Sequence, residues 1–220
     1  SLFKRIRPFY YQGVTAEQAW LTSGYSFPSG HAQAAGVLGY TAYHTAKTTK
    51  KTWLYYVAWF SWLFIPFSRM YLGQHFLSDV IVGVAIALFM AHIGFKIVNL
   101  MGDDEHIYTL MLAPIFILAL FFFKNHDVYI AVGGFVGFAV GYYLEKRYVI
   151  YDVKTKWWIQ IIKVILGLTM AILIKEGLKF IFPTAYIFDF LRYLLIGVWV
   201  AVGAPLVFKY GIPFLQKKVS

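Results

Sequence analysis

Four short polar clusters in this chain carry residue types that can do chemistry: Arg7 before Pro8; Ser29, Gly30 and His31; Ser68 and Arg69; and His75 with Asp79. His75 and Asp79 stand four residues apart, so on a helix they share one face. A carboxylate that accepts a hydrogen bond from one imidazole nitrogen sets the tautomer and leaves the other nitrogen free as nucleophile or base. Ser29, Gly30 and His31 open an apolar run, and at a helix N-terminus the main-chain N–H groups and the helix dipole favour an anion. Gly30 lets that backbone be approached closely. Arg7 and Arg69 bring forked donors that match phosphate oxygens in pairs. Two arginines, an anion nest and two histidines describe a phosphoryl site, where most of the catalysis is positioning and charge stabilisation.

The elements that must position these residues lie in a membrane. Of the 220 residues, 60% are hydrophobic, 20% aromatic and only 14% charged, where a soluble domain carries about 25% charged residues. Mean hydropathy is +0.64. Seven apolar runs, near 31–46, 52–67, 77–98, 107–123, 128–144, 159–175 and 190–208, approach the length needed to cross a bilayer. They are too long and too evenly apolar for barrel strands. The expected fold class is therefore all-α, a multi-pass transmembrane helix bundle. The net charge of +10 sits mostly at segment ends, as membrane anchoring requires, so no nucleic-acid partner is expected. There is no cysteine, hence no disulfide framework and no thiolate metal site. The first residue is Ser, and a trimmed N-terminus is the expectation. Thr15 and Gln18 have capping-box spacing and suggest a short helix near 16–21.

Hairpin counting brings the clusters together. The first run starts at the site end and leaves at Lys47–Lys51; the second returns at Ser68; the third departs at Asp79. The same counting sorts the basic residues. On the far side lie Lys47, Lys50, Lys51, Lys96, Lys146, Arg147, Lys154, Lys156, Lys209, Lys217 and Lys218. On the site side, apart from the site-region group Lys4, Arg5, Arg7 and Arg69, lie Lys124, Lys175, Lys179 and Arg192. Basic loops stay cytoplasmic, so the site should face the extracytoplasmic side of a plasma or inner membrane.

The motifs also resemble a known family. Arg-Pro at 7–8, Pro-Ser-Gly-His at 28–31 and "SRMYLGQHFLSD" at 68–79 look like the three motifs of the type 2 phosphatidic acid phosphatase (PAP2) superfamily, K-x6-RP, PSGH and SR-x5-H-x3-D. The second and third match in full. The Lys of the first would fall one position before Ser1; Lys4 and Arg5 are nearby but out of register. The family core usually has three helices ahead of this point. The resemblance implies that His75 is a nucleophile that becomes phosphohistidine, that Asp79 orients it, and that His31 protonates the leaving oxygen and later activates water. It implies that Arg7, Ser29, Gly30 and Arg69 hold the phosphate, with no metal and no other cofactor. It covers residues 1–98 as a catalytic core, leaving 99–220 as an additional four-helix transmembrane region.

The expected activity is hydrolysis of a lipid phosphate monoester or pyrophosphate. The alternatives are a lipid phosphotransferase using the same site, and a transporter or flippase keeping a phosphate pocket. The seven apolar runs exclude a soluble haloperoxidase sharing the site chemistry. Expected partners are the lipid phosphate substrate and membrane lipids.

Other polar residues are read more plainly. His44 and His106 lie near run ends, and His92 suits a helix–helix hydrogen bond. His126 and Asp127 have no spacing partner. "GDDEH" at 102–106 invites a metal reading, but hairpin counting puts it on the face opposite the histidines, as a solvated loop. Lys163 stands inside a run without explanation. Gly133, Gly137 and Gly141 recur every four residues and are read as close packing within the protein, with a homodimer face as the alternative.

Overall fold

The computed structural model describes residues 3–11, 13 and 24–211. The capping-box helix expected near 16–21, and Lys217 and Lys218, lie outside the described residues. Among those described there is no strand. A 3-10 turn, Pro8–Tyr10, precedes the helices α1 (Gly30–Thr49), α2 (Trp53–Tyr71), α3 (Leu77–Met101), α4 (Glu105–Phe122), α5 (His126–Leu144), α6 (Trp157–Ile181) and α7 (Tyr186–Val198). The helix begun by α7 continues to Gly211 through two π-helical segments, Trp199–Gly203 and Val207–Gly211. Each expected apolar run is helical.

Four stretches are long and apolar enough to cross a membrane: Leu77–Phe122, His126–Val149, Trp157–Ile181 and Tyr186–Gly211. The first includes α3, the 3-10 turn Gly102–Asp104 and α4. The runs of α1 and α2 fall short of that hydropathy. α1 carries Gln33, Thr41, His44 and Lys47, and α2 draws its apolarity from Trp and Tyr, whose polar atoms lower the index. The outward surface is apolar nonetheless: Phe180, Leu100 and Phe122 are 91%, 87% and 74% exposed. Many of the buried positions hold alanine, among them Ala32, Ala35, Ala42, Ala58, Ala87 and Ala139. Large apolar residues outside and small ones between helices are what a lipid solvent selects, because helix association there depends on close packing. The chain is an integral membrane protein.

Its residues form two compact units, Ser1–Leu100 and Met101–Ser220. In the first, the start of α1 lies against α3 at Gly83, where an added Cβ would stand 2.8 Å from the Ser29 carbonyl oxygen. In the second, a Cβ at Gly133 or Gly137 would overlap the backbone of Phe190 or Leu194, and one at Gly141 would stand 2.8 Å from the Ala201 Cβ. The glycine stripe is thus used for packing α5 onto α7.

Lys163 is also accounted for. It lies two turns into α6 and reaches back to the membrane end, where Nζ donates to Thr155 Oγ1 at 3.2 Å and stands 5.0 Å from the Tyr151 ring, as a snorkelling lysine does.

Candidate active site

The first unit gathers the four clusters at one end. Ser29 caps α1: its extended backbone cannot continue the helix, and its Oγ accepts from Ala32 N at 3.3 Å. The Ser29 N–H donates to the Asp79 carbonyl at 3.1 Å, which ties the start of α1 to α3. The first main-chain bond into the helix runs from Gln33 N to Ser29 O, so the Gly30 and His31 N–H groups precede the intrahelical ladder. Nothing stands within 4 Å of a Cβ at Gly30, and the nest is open. The peptide between Phe27 and Pro28 is cis.

His75 is buried, 5% exposed, in the turn between α2 and α3. Its Nδ1 lies 2.7 Å from the Ser26 carbonyl oxygen. A carbonyl only accepts, so Nδ1 carries the proton and Nε2 holds the lone pair. Nε2 faces Arg7 Nη1 at 3.3 Å. Arg7 is held in turn by the carbonyls of Gly24 and Gln74, each at 3.2 Å. Burial of the ring pushes His75 below the usual histidine range; Arg7 and His31 push the same way, while the Ser26 carbonyl and Asp79 pull partly back.

Asp79 is placed differently from the sequence reading. Its Oδ2 is 3.9 Å from His75 Nδ1, beyond hydrogen-bond reach. The carboxylate instead accepts from Ser26 Oγ, from Phe76 N at 2.8 Å and from Arg5 Nη1 at 2.8 Å. The helical i,i+4 argument fails because His75 precedes Leu77, the first residue of α3. It sits in the turn that the Asp79 side chain closes by accepting the Phe76 N–H. Asp79 therefore orders the loop that carries the Ser26 carbonyl.

Arg69 sits at the end of α2. Its Nε donates to Ser68 Oγ at 3.3 Å and its Nη1 to Gln74 Oε1 at 3.4 Å. Gln74 is buried and meets both arginines, Arg69 through its side chain and Arg7 through its carbonyl. His31 is exposed, and acts electrostatically on His75 as Arg7 and Arg69 do on it. The structure thus brings Arg7, Ser29, Gly30, His31, Arg69, His75 and Asp79 to one place.

Three residues here escaped the sequence reading. Arg5, out of register for the first motif, forms the ion pair with Asp79. Ser26 contributes a carbonyl, which no residue type advertises. Gln74 had only its adjacency to His75 as a signal.

Elsewhere, His92 Nδ1 pairs with Tyr40 Oη at 2.8 Å, the expected helix–helix bond. Glu105 accepts from Tyr142 Oη and pairs with Lys146 at 3.7 Å. Among the described residues no three His, Asp or Glu side chains gather as a metal-ligand group.

Residues 1–102 match the family model of the PAP2 superfamily, and residues 129–212 match that of the PAP2 superfamily phosphatase, transmembrane extension. No curated protein and no solved structure matches the chain. The chain belongs to the PAP2 superfamily, a superfamily of phosphatases, and carries its transmembrane extension.

Proposed function

We propose that this PAP2 superfamily member hydrolyses a lipid phosphate monoester or pyrophosphate through a phosphohistidine, without a metal. The observation that carries the reading is the state of His75. Its Nδ1–H donates to the Ser26 carbonyl at 2.7 Å, and its Nε2 lone pair faces Arg7 at 3.3 Å.

In this mechanism the phosphate lies among Arg7, Arg69 and the N-terminal nest of α1. The His75 Nε2 lone pair forms a bond to phosphorus, and the bond from phosphorus to the leaving oxygen breaks. Protonated His31 gives its proton to that oxygen. Neutral His31 then takes a proton from water, whose oxygen attacks phosphorus, and the P–N bond breaks to return His75. The arginines supply the positive charge a metal would otherwise bring.

The lipid class is supported by an open apolar groove of about 660 Å³ along α2 and α3. Its lining includes Met70, Leu77 and Val80, chain neighbours of Arg69, His75 and Asp79. A hydrocarbon chain in the groove would leave its phosphate beside the site. Sidedness follows from the same unit. Lys47, Lys50 and Lys51 cluster at the α1–α2 hairpin, away from the site end, and short basic loops stay cytoplasmic. The site then faces outward.

A phosphate-release screen in detergent across lipid phosphates and lipid pyrophosphates, in excess EDTA, tests the reading. Free phosphate from a lipid substrate, blocked by vanadate, is expected. Activity lost in EDTA and restored by Mg²⁺ would overturn metal independence. Phosphate appearing only on an added alcohol acceptor would make the protein a phosphotransferase.

A further inference from the structure

We propose that the second unit binds an anionic phospholipid, its phosphate at Lys179 and Arg192 and an acyl chain along α6 and α7. The site is distinct from the histidine chemistry and does not depend on it.

A cavity of about 330 Å³ opens where α5 begins, α6 ends and α7 begins, lined in part by His126, Lys179, Thr184, Tyr186, Asp189 and Arg192. One carboxylate serves two bases here. Asp189 Oδ2 meets His126 Nδ1 at 2.8 Å, and Asp189 Oδ1 pairs with Arg192. Arg192 Nε is buried with no hydrogen-bond partner among the described residues. Lys179 is exposed at the rim. Lys175 pairs with Glu176 at 3.1 Å, and Glu176 also interacts electrostatically with Lys179 and Arg192. With Arg192 paired to Asp189, three permanent cations meet two carboxylates, and a phosphate matches that excess of positive charge.

What lies along the same helices selects among anions. On α7 and its continuation, Asp189, Arg192, Leu195 and Trp199 follow at three- and four-residue steps and neighbour one another in a slanting row. Its polar half lines the cavity. Its apolar half lines a second groove of about 560 Å³, with Leu173, Leu178 and Ile181 of α6. Nothing stands within 4 Å of a Cβ at Gly177 in this groove. A charged head pocket and an apolar groove carried by the same two helices, α6 and α7, fit an amphipathic anion. Tyr129 and Tyr186, with ring centroids 5.4 Å apart, mark the interfacial level at which lipid phosphates lie. A free phosphate would satisfy the head pocket and leave the groove empty.

The full chain in zwitterionic detergent is titrated with dioleoyl phosphatidylglycerol, dioleoyl phosphatidylcholine or inorganic phosphate. Native mass spectrometry reads retention and a thermal scan reads the unfolding midpoint. Phosphatidylglycerol is a phosphodiester, so the chemistry proposed at His75 does not consume it. We expect a one-to-one phosphatidylglycerol adduct and a raised midpoint, with neither from phosphatidylcholine or inorganic phosphate. Lys179→Gln should weaken retention about fivefold, since one interfacial cation is worth about 1 kcal/mol to an anionic lipid, and Lys179→Glu should weaken it further. Lys179 is exposed, so the lipid-free midpoint of these variants should match the wild type. Gly177→Leu should weaken lipid retention by filling the groove. Equal retention of phosphatidylcholine, an equal midpoint shift from inorganic phosphate, or undiminished phosphatidylglycerol binding by Lys179→Glu would each overturn the proposal.

Discussion

The Nδ1 of His75 stands 2.7 Å from the main-chain oxygen of Ser26, and that bond, not one to Asp79 at 3.9 Å, sets the tautomer of the ring. Nε2 is left with its lone pair toward Arg7. His75→Ala should therefore abolish both turnover and the acid-labile phosphoenzyme seen on rapid quenching. His31→Ala should slow turnover about 10²–10⁴-fold, the usual worth of a positioned acid–base group. A His75→Ala protein with near wild-type turnover would end the phosphohistidine mechanism.

Asp79 should matter through the loop it orders. Asp79→Asn presents an amide to Ser26 Oγ, Phe76 N and Arg5, and one end of that amide cannot accept. A loss of about 1–3 kcal/mol is expected in chemical unfolding, with a fall in kcat and little change in KM. Ser26→Ala keeps the carbonyl that holds His75 and removes only the hydroxyl, so it should be milder. Equal damage from both would place the hydroxyl, not the carbonyl, at the centre of the site.

The pH profile has a defined sign. His75 must be neutral to attack, and burial holds it below the usual histidine range, with Arg7 and His31 pushing the same way. The nucleophile is then available at neutral pH and is lost as pH falls through the lowered value. The limb of kcat/KM assigned to the nucleophile should lie below about pH 6.5. Arg7→Ala removes a cation facing Nε2 and should move that limb toward higher pH, a shift that a purely structural role would not give. Linkage runs the same way: the unfolded chain binds the proton more readily, so stability falls as pH drops below about 6.5.

Gly83 should be intolerant of bulk. Its missing side chain lets the Ser29 carbonyl and Ala32 approach α3, and the Ser29 N–H bond to Asp79 depends on that approach. Gly83→Val should cost about 1–3 kcal/mol by overpacking and lower activity with it. Gly94→Val on the same helix meets nothing within 4 Å and should leave activity near wild type.

Sidedness can be read chemically because the chain has no cysteine. In intact cells a cysteine at Lys50 should resist a membrane-impermeant thiol reagent, while one at Tyr71, 81% exposed beside the site, should react. The reverse pattern would put the site in the cytoplasm.

Composition and periodicity alone determined that the chain is helical and lives in lipid, because few charges and long apolar runs admit no other solvent. The spacing within Ser68–Asp79 and the placement of Ser29–His31 before an apolar run were enough to bring His31, Arg69 and His75 to one end of a helical hairpin, since short connections force their neighbours together. The glycine stripe at 133, 137 and 141 was legible as packing because its spacing is local to one helix. Tertiary structure decided the contacts between residues far apart in the chain. The carbonyl of Ser26 reaches His75 across 49 positions, Arg5 reaches Asp79 across 74, and Asp189 reaches His126 across 63. No periodicity encodes such meetings. His75 shows the limit most clearly: four residues from Asp79 promised a shared helix face, but the helix begins after the histidine, so the backbone of a turn took the place of the carboxylate.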